Sequence, residues 1–486
     1  MQISMKNLFH NSILVLAFCV LLFFSTFHLS ESPAIWYDEG FFTQMAMNFS
    51  EQGRQVLQVA PGEFVSGSES TAGFPLIAPV SISYTLFGVG VVQGRSIMVI
   101  FLLLFGIVAY TFTRLLFGAG FASWSLLLVV SLPMLYGNGK SVLGEVPGLV
   151  YLLSFLTFLV VLQKRNFKPL WLWALAGAAA GLCVTTKPIF LLLGFAVLLV
   201  WMFRFKEVAL TWPRFFIGLA SFLVPLSLWF VFQFGTADSL SQVLAFYANP
   251  YESTSLAHLL VENVRRFFTE LTPAYTFVAL VVWGISLYVR DKEKRISIAE
   301  LVIFTFSTLV LIAFLRLPGW YRYLFPALIP ALLFAPYAGV SLFTRLVRAF
   351  RFPPRTLFWV PYTVLALLIG VQLYQVAFHS YVADYYDGKR TVETQSVLAS
   401  LPDSKSVFFY NVPEIVILLP HRNYYQYIAP HPENLIGEEQ LVRLKNGEVD
   451  TVIATRALYE KAPENFFGYS DIESIGHYVV LRQSTR

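Results

Sequence analysis

The sequence predicts an α-helical polytopic membrane protein with about eleven transmembrane helices and a small extracytoplasmic α/β C-terminal domain. Three observations lead there. Of 486 residues, 57% are hydrophobic and only 13% are charged, about half the charge of a soluble domain. The apolar residues collect in runs of about 20, the length that crosses a bilayer. Roughly the last hundred residues abandon that pattern for short strands alternating with helical segments.

The first run, 12–30, follows Lys6 and resembles a signal peptide. It is about 19 residues long and no small-x-small cleavage site follows, so it reads as a retained first helix. Further spans fall near 95–117, 119–137, 146–163, 170–186, 189–204, 215–235, 272–290, 298–316, 323–342 and 357–378. The stretch 74–92 is apolar but carries Pro75, Pro79, Gly88 and Gly90, and reads as re-entrant or interfacial. The chain thus divides into a transmembrane domain, 1–378, with an external loop at 31–94, and an extracytoplasmic α/β domain, 379–486. In the second domain 406–410, 424–428, 450–454 and 478–481 read as strands and 437–444 as helical. A later external loop, 236–271, is rich in Ser, Tyr and Asn and is placed to cover a site.

Basic residues set the orientation. Lys164-Arg165 with Lys168, Arg204 with Lys206 and Arg214, Arg290 with Lys292, Lys294 and Arg295, and Arg345 with Arg348, Arg351 and Arg355 occupy alternate loops. Those loops are assigned to the cytoplasm, which puts the N-terminus inside and the C-terminal domain outside a plasma or inner membrane. Arg265-Arg266 is an exception on the outer side. The net charge of +5 follows from these topology signals and does not indicate a nucleic-acid partner. Cys19 and Cys183 lie in apolar segments, so neither a disulfide framework nor a cysteine metal site is expected. No GxGxxG, P-loop or nucleophile elbow is present.

The candidate chemistry sits at helix ends on the outer side. Trp36-Tyr37-Asp38-Glu39-Gly40 follows the first span, and a carboxylate pair there is costly unless solvated, paired or working. Asp38 also has a plain reading as the N-cap of a helix starting at Glu39. Glu145 opens the fourth span, Lys187 ends the fifth, and Arg316 and Arg322 flank a segment containing Tyr321. Taken singly these are acids at helix starts, a snorkelling lysine and salt-bridge partners. Taken together, three acids and three cations meet on one face. A carboxylate can accept the proton of an attacking hydroxyl, and cations can neutralise an anionic phosphate leaving group. Asp38, Glu39 and Glu145 can also hold a divalent cation, Mg²⁺ or Mn²⁺, through oxygen ligands. The nearby basic residues make an obligatory metal unnecessary.

In order, Tyr37-Asp38-Glu39-Gly40, then Gly73-Phe74-Pro75 through Gly94-Arg95, Gly144-Glu145, Thr186-Lys187-Pro188 and Trp320-Tyr321-Arg322-Tyr323-Leu324-Phe325-Pro326 resemble the polytopic glycosyltransferases of the GT-C fold. The branch resembled is that of protein O-mannosyltransferases and lipid A aminoarabinose transferases. The resemblance covers roughly 10–340 and, more loosely, the tail. It implies inverting transfer of a sugar from a polyprenyl-phosphate carrier to a hydroxyl of a lipid, glycan or protein on the extracytoplasmic face. It implies Asp38 as base, Glu145 as the second-loop acid that orients the acceptor or tunes the base, and Lys187 and Arg322 near the lipid phosphate. Arg316 is added on charge and position, and Tyr321 as the neighbour of Arg322 in the motif. One departure stands out: the Lys-Pro-Pro or His-Pro-Pro often found in the first loop reads Ser70-Thr71-Ala72-Gly73-Phe74-Pro75 here. The alternative reading is a transporter or flippase for a lipid-linked or small anionic substrate. It fits less well, because transporters place charges near the midplane, often in paired repeats, and no repeat is visible.

Overall fold

In the computed structural model, the described residues are 5–68, 70–208, 210–235, 255–291, 296–317, 319–350, 359–401, 406–419, 423–431, 434–466 and 468–483. The basic loop residues 292–295 and 351–358, and 236–254 of the loop expected to cover a site, lie outside them.

Helices dominate up to Tyr374, in the order α1 (Met5–Thr26), α2 (Tyr37–Gln52), α3 (Phe74–Phe87), α4 (Val91–Phe117), α5 (Ala119–Val130), α6 (Pro133–Lys140), α7 (Glu145–Lys164), α8 (Leu170–Thr186), α9 (Leu192–Arg204), α10 (Trp212–Trp229), α11 (Leu256–Thr269), α12 (Leu271–Asp291), α13 (Ile298–Phe314), α14 (Phe325–Ala349) and α15 (Val360–Tyr374). Among the described residues seven helical stretches are long and apolar enough to cross a membrane, or eight counting α5 and α6 as one. This is a multi-pass integral membrane protein. Three of the expected spans are shorter apolar helices, Leu170–Thr186, Pro188–Arg204 and Ile298–Phe314. At 1.5 Å per residue, 17 residues reach about 25 Å, just under a bilayer core of about 30 Å. The expected straight span 119–137 is broken: α5 and α6 meet at 69°. Pro133 opens α6 and lacks the amide that would continue α5. Ser131 at the break donates to Gln372 Oε1 of α15 at 2.6 Å.

Small residues set the closest helix approach. A Cβ on Gly177 of α8 would lie 2.1 Å from the Gly218 carbonyl oxygen of α10, and one on Gly181 would lie 2.6 Å from that of Phe222. In lipid, where apolar side chains gain nothing by leaving water, such backbone contact supplies much of the packing.

The 31–94 loop is more structured than its sequence suggested. Besides α2 and α3 it holds an antiparallel hairpin, β1 (Val56–Ala60) and β2 (Glu63–Ser66). It turns at Pro61-Gly62, with Gly62 at φ 78°, a value that favours glycine.

Beyond α15 the chain forms α16 (Lys389–Ala399), β3 (Val407–Tyr410), α17 (Pro413–Val416), β4 (Tyr424–His431), β5 (Asn434–Ile436), α18 (Leu441–Lys445), β6 (Thr451–Thr455), α19 (Arg456–Lys461), β7 (Tyr469–Ile475) and β8 (Tyr478–Gln483). The sheet order is β5-β4-β3-β6-β8-β7, with β3 parallel to β4 and β6 and the other pairs antiparallel. Phe408 and Phe409 are both fully buried because successive strand residues face opposite sides and both sides are covered. The four expected strands are present. β5 and β7 were not anticipated, and β7 is mostly exposed, with little apolar alternation to reveal it.

The sheet docks on α2. Gln426 of β4 donates to Gln44 Oε1 at 2.9 Å, and Gln44 donates to the Pro413 carbonyl at 3.0 Å. A Cβ on Gly40 would lie 2.4 Å from Glu414 Cα, so glycine lets α2 touch the backbone of α17.

Candidate active site

The first turn of α2 sends four consecutive residues in four directions, as a helix must at about 100° per residue. Tyr37 donates to Asn411 Oδ1 at 2.8 Å, next to the sheet. Asp38 pairs with Arg322. Glu39 pairs with Arg95. Gly40 lies against α17. The N-cap of α2 is Trp36, with no side-chain cap bond. Asp38 therefore sits inside the first turn rather than capping a helix that begins at Glu39. Its charge still suits the positive end of the helix dipole.

The acid pair is split. Glu39, at 2% exposure, takes Arg95 Nε and Nη2 on its two oxygens, each at 2.7 Å, and Oε1 also accepts the Val142 amide at 3.2 Å. Arg95, fully buried, donates its remaining nitrogen to the Leu29 carbonyl at 2.9 Å. This bidentate pair ties α2 to α4 and to the segment that follows α1, and leaves Glu39 buried rather than open as the sequence suggested. Lys140, also fully buried, donates to the Phe27 carbonyl at 2.6 Å within electrostatic reach of Glu39 and Arg95.

Asp38 remains partly open to solvent. It is 23% exposed and Arg322 is 10% exposed. The Arg322 guanidinium is packed by the rings of Trp320, Tyr323 and Trp36 at 4.7, 5.2 and 5.5 Å, so it is held on aromatic faces. Burial opposes its charge, but Asp38 first, then Tyr323 and Glu145, outweigh that and hold its pKa above the usual range. Glu145 is thus close enough to be felt by Arg322.

Glu145 opens α7 and pairs with Lys187, both almost fully buried. Lys187 follows α8 in extended conformation, at φ −158°. Beside it the Gly73 amide donates to the Thr186 carbonyl at 3.0 Å, and a Cβ on Gly73 would lie 1.8 Å from the Thr185 carbonyl oxygen. The Gly73-Phe74-Pro75 and Thr186-Lys187-Pro188 motifs therefore touch. Glu145 Oε2 and Arg322 Nε are buried and have no hydrogen-bond partner among the described residues. The Tyr381 hydroxyl, from beyond α15, fills the space where a Gly137 Cβ would stand, at 1.3 Å, within electrostatic reach of Glu145.

Two expected phosphate residues are not brought in. Tyr321 and Arg322 share a tight 3₁₀ turn, Tyr321–Tyr323, whose successive side chains point about 120° apart. The Tyr321 hydroxyl donates to Glu270 Oε2 at 2.6 Å, away from Asp38. Arg316 is exposed and makes no bond to Asp38, Glu145 or Lys187. Sequence reasoning quoted Arg95 only as the end of a motif, without a role, and missed Lys140 and Tyr381. A charge within or beside an apolar run was the available signal for the first two; nothing local marked Tyr381. Among the described residues no group of three or more His, Cys, Asp or Glu side chains gathers as a metal site, because each acid faces a different cation.

No protein-family model matches the sequence, and neither does any curated protein. Solved structures do match the whole fold. ArnT from Cupriavidus metallidurans bound to undecaprenyl phosphate superposes with a TM-score of 0.60 at 15% identity, over 96% of this chain and 97% of that one. This chain has the GT-C fold. The Archaeoglobus fulgidus oligosaccharyltransferase in its apo form superposes with a TM-score of 0.57 at 13% identity, over 96% of this chain and 73% of that one. AglB from Archaeoglobus fulgidus, in complex with an inhibitory peptide and a dolichol-phosphate, gives 0.55 at 13% identity, over 99% and 75%.

Proposed function

We propose that this chain is an integral-membrane glycosyltransferase that moves a sugar from a polyprenyl-phosphate carrier to a hydroxyl acceptor on a lipid, glycan or protein. The reaction takes place on the extracytoplasmic face, with the N-terminus cytoplasmic, eleven crossings, and the 379–486 domain outside. The observation that carries the proposal is the Asp38–Arg322 pair. It is the acid–cation pair of this site that remains partly open, whereas Glu39–Arg95 and Glu145–Lys187 are sealed. It stands in a fold shared with a protein that was solved bound to undecaprenyl phosphate.

The chemistry follows from the charges. A lipid phosphate enters beside Arg322, competes with Asp38 for it and frees the Asp38 carboxylate; to reach Lys187 it also opens the sealed Glu145–Lys187 pair. The acceptor oxygen attacks the anomeric carbon and its proton passes to Asp38. The bond from that carbon to the phosphate oxygen breaks, and its electron pair leaves with the polyprenyl phosphate. Arg322 and Lys187 neutralise the charge that develops there. A single displacement of this kind inverts the anomeric centre. Glu145 orients the acceptor or tunes the base, and Glu39 braces the turn that carries Asp38. With cations already in these positions, no metal is obligatory.

The test is sugar transfer in proteoliposomes supplied with a panel of polyprenyl-phosphate sugars. Asp38→Asn should lower kcat by roughly 10²- to 10⁴-fold, the usual worth of a general base. Unchanged turnover in that variant would remove Asp38 from its role, and accumulation of substrate in vesicles without a covalent product would favour a transporter.

A further inference from the structure

Arg265-Arg266 is the basic pair that breaks the charge pattern of the loops, and both residues lie on α11. That helix has three distinct faces. One is packed on the protein: Asn263, 2% exposed, donates its side-chain amide to the carbonyls of Phe314, Leu315 and Leu317 at 3.1, 3.2 and 2.7 Å. On the same side Arg266 donates to the Gly319 carbonyl at 2.7 Å and Glu270 accepts from Tyr321 at 2.6 Å. These bonds all fall on 314–321, the stretch that leads into Arg322.

The other two faces are exposed and differ in character. Ala257, Val261, Val264 and Phe268 recur at i, i+4, i+7 and i+11, one stripe of a helix, and all four are exposed, Phe268 to 81%. His258, Arg265 and Thr269 form a second exposed stripe that is polar. A helix with protein on one side, an open apolar stripe on the second and a polar stripe on the third fits a lipid–water boundary. Its place in the chain agrees, because α11 runs through Glu270 directly into the span Leu271–Arg290, so its end stands where the bilayer begins.

We infer that α11 lies in the surface of the bilayer, with its Val261–Val264–Phe268 stripe among the lipid chains and Arg265 at the level of the lipid phosphates, and that Asn263 holds the Arg322-bearing segment to it. The partner is a phospholipid surface. Asn263 is a positioning residue, since it acts on Arg322 through backbone carbonyls. That Arg322 is thereby held at the height of a carrier phosphate rests on the function proposed above; the placement of α11 does not.

The experiment uses the full chain with Cys19→Ala and Cys183→Ala, reconstituted in phosphatidylethanolamine–phosphatidylglycerol vesicles, with one nitroxide-labelled cysteine at a time. Collision with oxygen, which favours lipid, is compared with collision with a water-soluble nickel chelate. Labels at 261, 264 and 268 should favour oxygen severalfold over labels at 258, 265 and 269. Equal accessibility at all six positions overturns the inference. A label at Arg316→Cys should report an immobilised segment that becomes mobile when Asn263→Ala is added, and an unchanged spectrum there overturns the holding role. Neither readout needs turnover. Sugar transfer by a protein whose labels are uniformly wet would refute the placement and leave the function standing, and the expected label pattern without transfer on any donor would do the reverse.

Discussion

Removing Arg95 gives the sharpest test of what Glu39 does. In Arg95→Met the guanidinium is lost while Glu39 stays buried, with no cation on either oxygen and one long bond from the Val142 amide. Two unit charges about 4 Å apart at an effective dielectric near 20 attract by about 4 kcal/mol, and stranding one partner of a buried pair costs about 3–5 kcal/mol. The single variants Arg95→Met and Glu39→Met are each expected to lose about that much stability. The double variant should lose less than their sum, because neither charge of the pair is then stranded; the Val142 amide and the Leu29 carbonyl still lose their partners, so its loss is not zero. The assay is thermal or denaturant unfolding of the purified protein in one fixed detergent, run on the four-member cycle alongside sugar transfer. If Glu39 only braces the turn, the double variant recovers activity as it recovers stability. A double variant that is stable but inactive would put Glu39 back among the catalytic groups. Single losses below about 1 kcal/mol would refute the energetic argument, since a solvated surface pair costs no more than that.

Three further outcomes are expected. Gly73→Ala drives a Cβ to 1.8 Å from the Thr185 carbonyl oxygen; it should cost about 1–3 kcal/mol through overpacking and lower activity by displacing Lys187, both readable by melting and turnover. Burial pushes the Glu414 carboxyl from 4.5 up to about 7, against the lowering effect of its own backbone amide, of the Tyr478 hydroxyl that donates to it at 3.2 Å, and of Arg390. The folded state therefore binds the extra proton, and docking of α17 on α2 should weaken as pH rises from about 4.5 through about 7, by at most roughly 3 kcal/mol. Hydrogen exchange of the amides around Glu414 should show this slope, and Glu414→Gln should flatten it. Finally, EDTA should leave sugar transfer within about twofold of the untreated rate; complete loss restored by Mg²⁺ or Mn²⁺ would assign Asp38 and Glu145 to a cation.

The membrane class, the apolar segments and the α/β tail were legible in the chain, because each rests on local composition and period. Segments such as 145–164 and 325–349 have to hide a whole backbone from lipid, and only a helix does that, so their residues speak plainly. The fourfold turn at Tyr37-Asp38-Glu39-Gly40 was legible as important and not as divided. Which neighbour each side chain meets depends on elements as distant as Arg322 and Asn411, and no local pattern encodes that. Lys187 with Glu145 and Asp38 with Arg322 could be anticipated as charges on one face. That Glu39 would instead find Arg95, that Tyr321 would turn to Glu270, and that Tyr381 would reach Gly137 were decided only when the helices packed. Burial fixes such pairs: a charge taken out of water binds whatever partner the fold brings within reach, and reach is a property of the tertiary structure.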